Sequence, residues 1–318
     1  KNLKVLIIGE TMIDKYIFCE VVGKSGKDPV LILKDINEEK YLGGAAIVAN
    51  HISEFTKNIS FLSMIGENKE EETFIRKNLK NNIKINFIYK KNSKTISKKR
   101  FIDQNTGSKT FGVYSLNDDA MNKNEIKKIN NYLKKSLSKF DLVFVYDYGH
   151  GFITRETSKI ICSQSKFLAL NAQINSTNIG HHTIDKYNNI DCLIINENEL
   201  RHEIRNKSDD IKTVIMQLIK KINIKECVVT QGTDGAICYN HKKNFFYKCP
   251  AFASHVIDKV GAGDAFLPFY SMSSKLKYNM NFSLLLGSLA AAQSVETIGN
   301  SKSVSKKDML KRLTHLFK

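Results

Sequence analysis

The string Asp258-Lys259-Val260-Gly261-Ala262-Gly263-Asp264-Ala265-Phe266 carries the strongest chemical signal in the chain. Its two glycines let the backbone approach a ligand closely. The run from Ala265 to Met272 reads as a helix. Unpaired N–H groups at its start would face an anion held in the loop, aided by the helix dipole. A carboxylate at Asp264, beside that anion site, is placed to take a proton from an attacking hydroxyl. The loop would meanwhile hold the charge of a transferring phosphoryl group. Alone, the tetrapeptide also reads as a glycine-bearing helix start capped by Asp. Pro268 falls inside this helix, where it costs little only in the first turn.

Further segments have matching chemistry. Gly43-Gly44 precedes the small-residue run Ala45 to Asn50, so a ligand could press on the backbone there. The same residues also read as a plain turn before a helix. Asp14 follows the first strand-like run, and a carboxylate at a strand end can accept two hydroxyl hydrogen bonds. Asn196-Glu197-Asn198-Glu199 follows the apolar run Cys192 to Ile195 and reads as a helix cap. Thr230 ends another strand-like run, and Gly232 lies in the turn leading to Ala236–Tyr239, an ordinary hairpin in outline. Asp147 ends a strand in Tyr146-Asp147-Tyr148-Gly149-His150-Gly151, where a lone His is more often structural than a ligand. Arg100 could meet an anion or a hydroxyl.

Positioning these groups requires strands and helices in alternation. Apolar runs predict strands at Val5–Gly9, Ile59–Ile65, Asn86–Tyr89, Leu142–Tyr146, Phe167–Asn171, Cys192–Asn196 and Glu226–Thr230. Such continuous runs suit a parallel sheet covered on both faces. Helical spacing predicts Ala45–Phe55, Glu70–Asn81, Lys123–Ser138, Thr154–Ser163, Asp210–Ile222, Ala262–Ser274, Phe282–Thr297 and Lys306–Phe317. Two segments, 16–41 and 95–116, alternate polar and apolar residues with glycine turns, as exposed antiparallel strands do. Paired, they would form a lid over the carboxyl ends of the parallel strands, where ligands of open α/β sheets bind.

With 318 residues, 42% hydrophobic and 25% charged, the chain can bury a large core. No run approaches the ~18 apolar residues that span a bilayer. The N-terminus enters the run Val5–Ile8 without a signal-peptide pattern, which predicts a cytoplasmic protein and no membrane partner. Six cysteines without CxxC spacing read as buried thiols. The net charge of +17 raises nucleic-acid binding. The lysines are scattered, with short clusters such as Lys98-Lys99-Arg100, and no stacking-aromatic or zinc module joins them. The reading is a solvated basic surface whose field attracts phosphorylated ligands, with no nucleic acid as partner.

Taken in order along the chain, these motifs resemble the ribokinase-like (PfkB) carbohydrate kinase family over essentially the whole length. The overall likeness is to the kinase halves of bifunctional sugar kinase/nucleotidyltransferases of the ADP-heptose-synthesis type. The resemblance implies an α/β, three-layer, ribokinase-like fold with a mostly parallel central sheet and a small β-lid, in one domain over 1–318. It implies Asp264 as catalytic base and Gly261, Ala262 and Gly263 as anion hole. Asp14, Gly43 and Gly44 would contact the sugar, with Arg100 and Asp147 beside it. Thr230, Gly232 and Asn196 would serve the nucleotide, and Glu199 would reach Mg2+ through water, an ion that prefers oxygen ligands. Adenine would pack near Ala290–Gln293 and Asn300. The cosubstrate would be ATP, the acceptor a small-molecule sugar, and the lid edges would pair two copies as a homodimer. Three departures stand out: Lys259 where the family often has Thr, and His150 and Asn171-Ala172-Gln173 where the heptose branch has basic positions. A nucleoside kinase of the same fold, or a catalytically silent sugar- or nucleotide-binding sensor, are the alternatives.

Overall fold

The computed structural model describes residues 2–174, 178–179 and 182–317. Its organising element is β1 (Lys4–Lys24), 21 residues long, which belongs to two sheets at once. Val5 to Ile8 are wholly buried, each worth about 1.5–3 kcal/mol of transfer free energy. This inner half pairs in parallel with β3 (Asn58–Gly66) and β7 (Leu142–Asp147). The outer half pairs antiparallel with β2 (Leu31–Gly44) and parallel with β5 (Ile96–Asp103). The sequence expectation ended this strand at Gly9. It continues because the polar residues beyond are satisfied inside the protein: Thr11 Oγ1 lies 2.7 Å from Ser63 Oγ, and Glu10 accepts two backbone N–H groups.

The main sheet runs β12-β11-β10-β9-β8-β7-β1-β3-β4. Here β4 is Ile83–Lys90, β8 Leu168–Ala172, β9 Ile190–Asn196 and β10 Ile224–Thr230. These pair in parallel, whereas β11 (Ala236–Asn240) and β12 (Phe245–Cys249) add an antiparallel edge. Strand β12 was not expected; its five residues are mostly half-buried or exposed and too few to signal it. The lid is β2-β1-β5-β6, with β6 at Lys109–Ser115. Both expected lid segments therefore form it, joined through β1.

Helices cover both sides of the sheet. They are α1 (Ala45–Ile52), α2 (Glu72–Asn78), α3 (Lys123–Ser136), α4 (Arg155–Gln164), α5 (Glu197–Ile204), α6 (Ile211–Lys221), α7 (Ala262–Lys275), α8 (Met280–Val295) and α9 (Lys306–Leu316). Helix α7 packs along α8 and α1. The sequence shows α5 only as a cap, because eight residues give too little periodicity to count. No helix among the described residues is long and apolar enough to cross a membrane, and all six cysteines are free thiols.

Candidate active site

Gly261 caps α7 at φ 87°. A Cβ there would stand 2.3 Å from Asn300 Oδ1, so only glycine fits. Asp264 is the third residue of the helix. A Cβ added at Gly263 would meet no atom within 4 Å, so the helix start opens onto free space. Burial lifts the Asp264 carboxyl to about 6, with Asp14 adding to the rise and the Tyr148 hydroxyl and Lys98 opposing it. That value suits a base working near neutral pH.

Pro268 is the seventh residue of α7, beyond the first turn where it would cost little. It cannot donate to the carbonyl four residues back, which belongs to Asp264. The Tyr146 hydroxyl supplies the missing donor to that carbonyl, at 3.2 Å. Tyr148 donates to Asp264 Oδ1 at 2.8 Å. Glu10 accepts the N–H groups of Tyr148 and His150, each at 3.1 Å, and so holds the loop after β7. Burial, then the nearby Asp147, lifts Glu10 to about 7.

On the lid side, Asp14 accepts from Arg100 Nη1 at 2.5 Å and from Asn300 Nδ2 at 3.4 Å. Gly43 lies against its other oxygen: a Cβ there would stand 2.4 Å from Asp14 Oδ2. Gly44, at φ 59°, would press a Cβ within 2.4 Å of Glu10 O, which fixes glycine before α1. The side chains of Asp14 and Arg100 are 6% and 13% exposed. Arg100 is thus committed to Asp14 rather than held out to a ligand. Arg100→Ala is expected to cost about 3 kcal/mol of stability in urea unfolding, because a buried carboxylate loses its partner. A ligand contact alone would leave that midpoint in place. Lys98 lies opposite Asp14 in the β1–β5 register, with its ammonium 5.7 Å from the Tyr114 ring centre. Burial lowers its pKa, against Asp14.

Asp147 is buried and held by partners inside the protein. Lys186 and the Tyr187 hydroxyl each reach its Oδ2 at 2.6 Å, and the Gly149 N–H reaches Oδ1 at 3.1 Å. His150 is buried with Nδ1 2.6 Å from Asp118, in keeping with a structural histidine. For Asp147 the physical reason is that a buried charge must be paired, and for His150 the bond at Nδ1 fixes the ring while its buried Nε2 has no partner among the described residues.

Asn196, Glu199, Thr230 and Gly232 line one cavity of about 650 Å³, together with Ile174, Ile179 and His202. Asn196 and Glu199 form a reciprocal cap: the Glu199 N–H donates to Asn196 Oδ1 at 2.8 Å, and the Asn196 N–H to Glu199 Oε2 at 3.0 Å. Burial lifts Glu199 to about 8, opposed by the bonds from Asn196, while Asp264 adds to the rise. No three His, Cys, Asp or Glu side chains among the described residues gather as a metal cage. A cation at this rim would hold Glu199 ionised against its burial, and one carboxylate and one amide oxygen there suit Mg2+ that keeps waters and phosphate oxygens as its other ligands. Residues of α8 do not line this cavity, and Asn300 lies instead between Asp14 and Gly261.

Asp258 is a hub that local sequence patterning does not show. It accepts from the Tyr16 hydroxyl at 2.5 Å, Lys109 Nζ at 2.6 Å, and the N–H groups of Gly299 and Val260 at 3.1 Å each. Two lid strands thus grip the segment leading into Gly261. The signal was present in the string Asp258–Asp264, yet the donors come from β1 and β6, far away in the chain.

The profile of the pfkB family of carbohydrate kinases matches residues 2–307. The chain is 24% identical to the "Bifunctional protein HldE" of a Nitratiruptor species, over 93% of this chain and 62% of that protein. It is 25% identical to that of Campylobacter jejuni, over 95% and 63%. The chain thus spans less than two thirds of these relatives. Phosphofructokinase-2 from Escherichia coli, solved with fructose-6-phosphate, superposes with a TM-score of 0.77 at 13% identity, covering 99% of this chain and 100% of that one. Ribokinase from Arabidopsis thaliana, solved with ribose and ATP, gives 0.70 at 16% identity, covering 98% and 99%. The chain belongs to the pfkB family of carbohydrate kinases and is a phosphotransferase.

Proposed function

We propose that the protein transfers the γ-phosphoryl group of ATP to a hydroxyl of a sugar or sugar phosphate, with Asp264 as general base. The observation that carries this reading is a half-buried carboxylate at the third position of α7, next to open space on the Cβ side of Gly263. The acceptor proton passes to Asp264 as the acceptor oxygen bonds to phosphorus and the bond to the ADP oxygen breaks. Gly261, Ala262 and Gly263 hold the phosphoryl oxygens by backbone N–H groups. Asp14, with Gly43 and Gly44, orients the acceptor. Thr230, Gly232 and Asn196 flank the nucleotide in the 650 Å³ cavity. Mg2+, reached by Glu199 through water, would neutralise phosphate charge.

The test is ADP release from Mg-ATP against free sugars, sugar 1- and 7-phosphates and nucleosides. A signal with a sugar or sugar phosphate supports the reading. A signal with nucleosides alone moves the assignment to a nucleoside kinase. Silence throughout, with ATP bound, identifies a sensor.

The lid further supports a homodimer as the working form. Phe101 and Phe111 stack at 4.2 Å, and Phe111 and Val113 are about half exposed. Ile17, Cys19, Leu33 and Phe101, with the charged Asp35, Glu38 and Lys99, line a shallow cavity of about 220 Å³ on the lid. A second lid would cover the exposed Phe111 and Val113. Light scattering at micromolar concentration is expected to give twice the 36.1 kDa chain mass, and Phe111→Lys is expected to return it to monomer. A monomer in the unaltered protein refutes the pairing.

A further inference from the structure

We infer that Tyr148 and Tyr146 are positioning residues for the base: Tyr148 fixes Asp264 Oδ1, Tyr146 fixes the Asp264 carbonyl, and Oδ2 is left to take the acceptor proton. This rests on Asp264 being the base.

The geometry is that of a clamp with three attachments. Both phenol rings are buried, at 0% and 2% exposure. They lie nearly parallel, with centres 6.5 Å apart and planes at 20°. Both sit at the end of β7, one in the strand and one just after it. Glu10 pins the backbone of Tyr148 from β1. Two hydroxyls two residues apart therefore reach one residue of α7, at its side chain and at its main chain. The main-chain contact exists because Pro268 removes the helix's own donor. A helix carbonyl is thus freed at the residue that does the chemistry, and a tyrosine from the sheet takes it. No other donor among the described residues reaches Oδ2.

The groups facing Asp264 are few. Tyr146 and Tyr148 approach from β7 and the loop beyond it, Asp14 from β1, Lys98 from β5 and Glu199 from α5. Tyr148 is the direct hydrogen-bond donor to the carboxylate among them. Burial keeps its phenol protonated well above the ordinary range, so it donates at every working pH. A donor to a carboxylate favours the ionised form. Removing it lets burial push the base further toward its neutral, inactive form.

The test compares Tyr148→Phe, Tyr146→Phe and the double variant Tyr146→Phe/Pro268→Ala with the unaltered full chain. Tyr148→Phe is expected to lower kcat about tenfold or more and to move the acid limb of the kcat/KM profile up by about one pH unit, with the KM for ATP unchanged. Tyr146→Phe is expected to lower kcat. Pro268→Ala in that background is expected to recover it, because the alanine N–H restores the helix bond to the Asp264 carbonyl. The carboxyl titration is read without turnover, by infrared difference against Asp264→Asn, and the Tyr148→Phe shift must appear there as well. An unmoved titration and acid limb in Tyr148→Phe, with Asp264→Asn inactive, overturn this inference and leave the base assignment standing. Full turnover in Asp264→Asn overturns both.

Discussion

Asp264→Asn is expected to reduce turnover by about a thousandfold or more while leaving ATP affinity nearly unchanged. The amide keeps the shape of the carboxylate and still accepts from the Tyr148 hydroxyl at Oδ1. What it loses is the capacity to take a proton from the acceptor. Because burial holds the acid at about 6, the unaltered enzyme should also lose kcat/KM as pH falls below that value. The same shift has a consequence for stability, of opposite sign to activity. Unfolded, the group titrates near its ordinary 3.8; folded, near 6. The folded state therefore binds a proton more tightly, and the buried charge costs stability in full above pH 6. The cost fades between pH 6 and 4 and vanishes below both values. It amounts to about 1–3 kcal/mol, allowing for partial solvent contact. Asp264→Asn should accordingly melt at or above the unaltered protein at pH 7.5, and the difference should close near pH 4. An inactive variant that also melts early would show a structural aspartate. Equal turnover in the variant would remove Asp264 from the chemistry altogether.

What the sequence disclosed depended on distance along the chain. The Gly261–Asp264 loop, the Asn196–Glu199 cap and the Thr230–Gly232 turn each place their groups within four residues, so local patterning finds them. Arg100 and Asp14 are 86 residues apart, and their pairing follows from β1 crossing into the lid and lying parallel to β5. Nothing in the lid's alternating pattern says which cation meets which carboxylate. Tyr146 and Tyr148 were visible as strand-end residues, but their distance from Asp264, 118 and 116 residues, concealed what they hold. Asp147 shows the converse. A carboxylate at a strand's end suggests ligand contact, yet Lys186 rises from a short turn across the loop to neutralise it. Pro268 is the most instructive case. Read as a helix penalty, it becomes intelligible only once the Tyr146 hydroxyl is seen at the carbonyl it leaves open.

The glycines of the loop separate folding from chemistry more cleanly than any charged residue, and Gly263→Ala is expected to show it. In the structure a Cβ at Gly263 meets nothing within 4 Å, and the residue lies in the first turn of α7. Alanine there should leave the fold intact or gain about 0.5–1 kcal/mol, as it does generally within helices. On the proposed reading that open space is where the transferred phosphoryl oxygens sit. A methyl group beside the N–H groups would hold phosphoryl oxygens away from them, and losing such donors costs about 100-fold or more in kcat. Gly261→Ala should behave differently. Its φ of 87° and the 2.3 Å approach to Asn300 Oδ1 make the methyl group a clash as well as a strain. That variant should lose stability together with activity, because Asn300 is also a partner of Asp14. Thermal melts and kcat, measured on both variants side by side, decide the matter. Gly263→Ala with an unaltered melt and unaltered kcat would mean that no anion uses the start of α7, and the phosphoryl group would have to be bound elsewhere. A stable, inactive Gly263→Ala beside an unstable Gly261→Ala assigns Gly261 to the fold and Gly263 to the transferred phosphate.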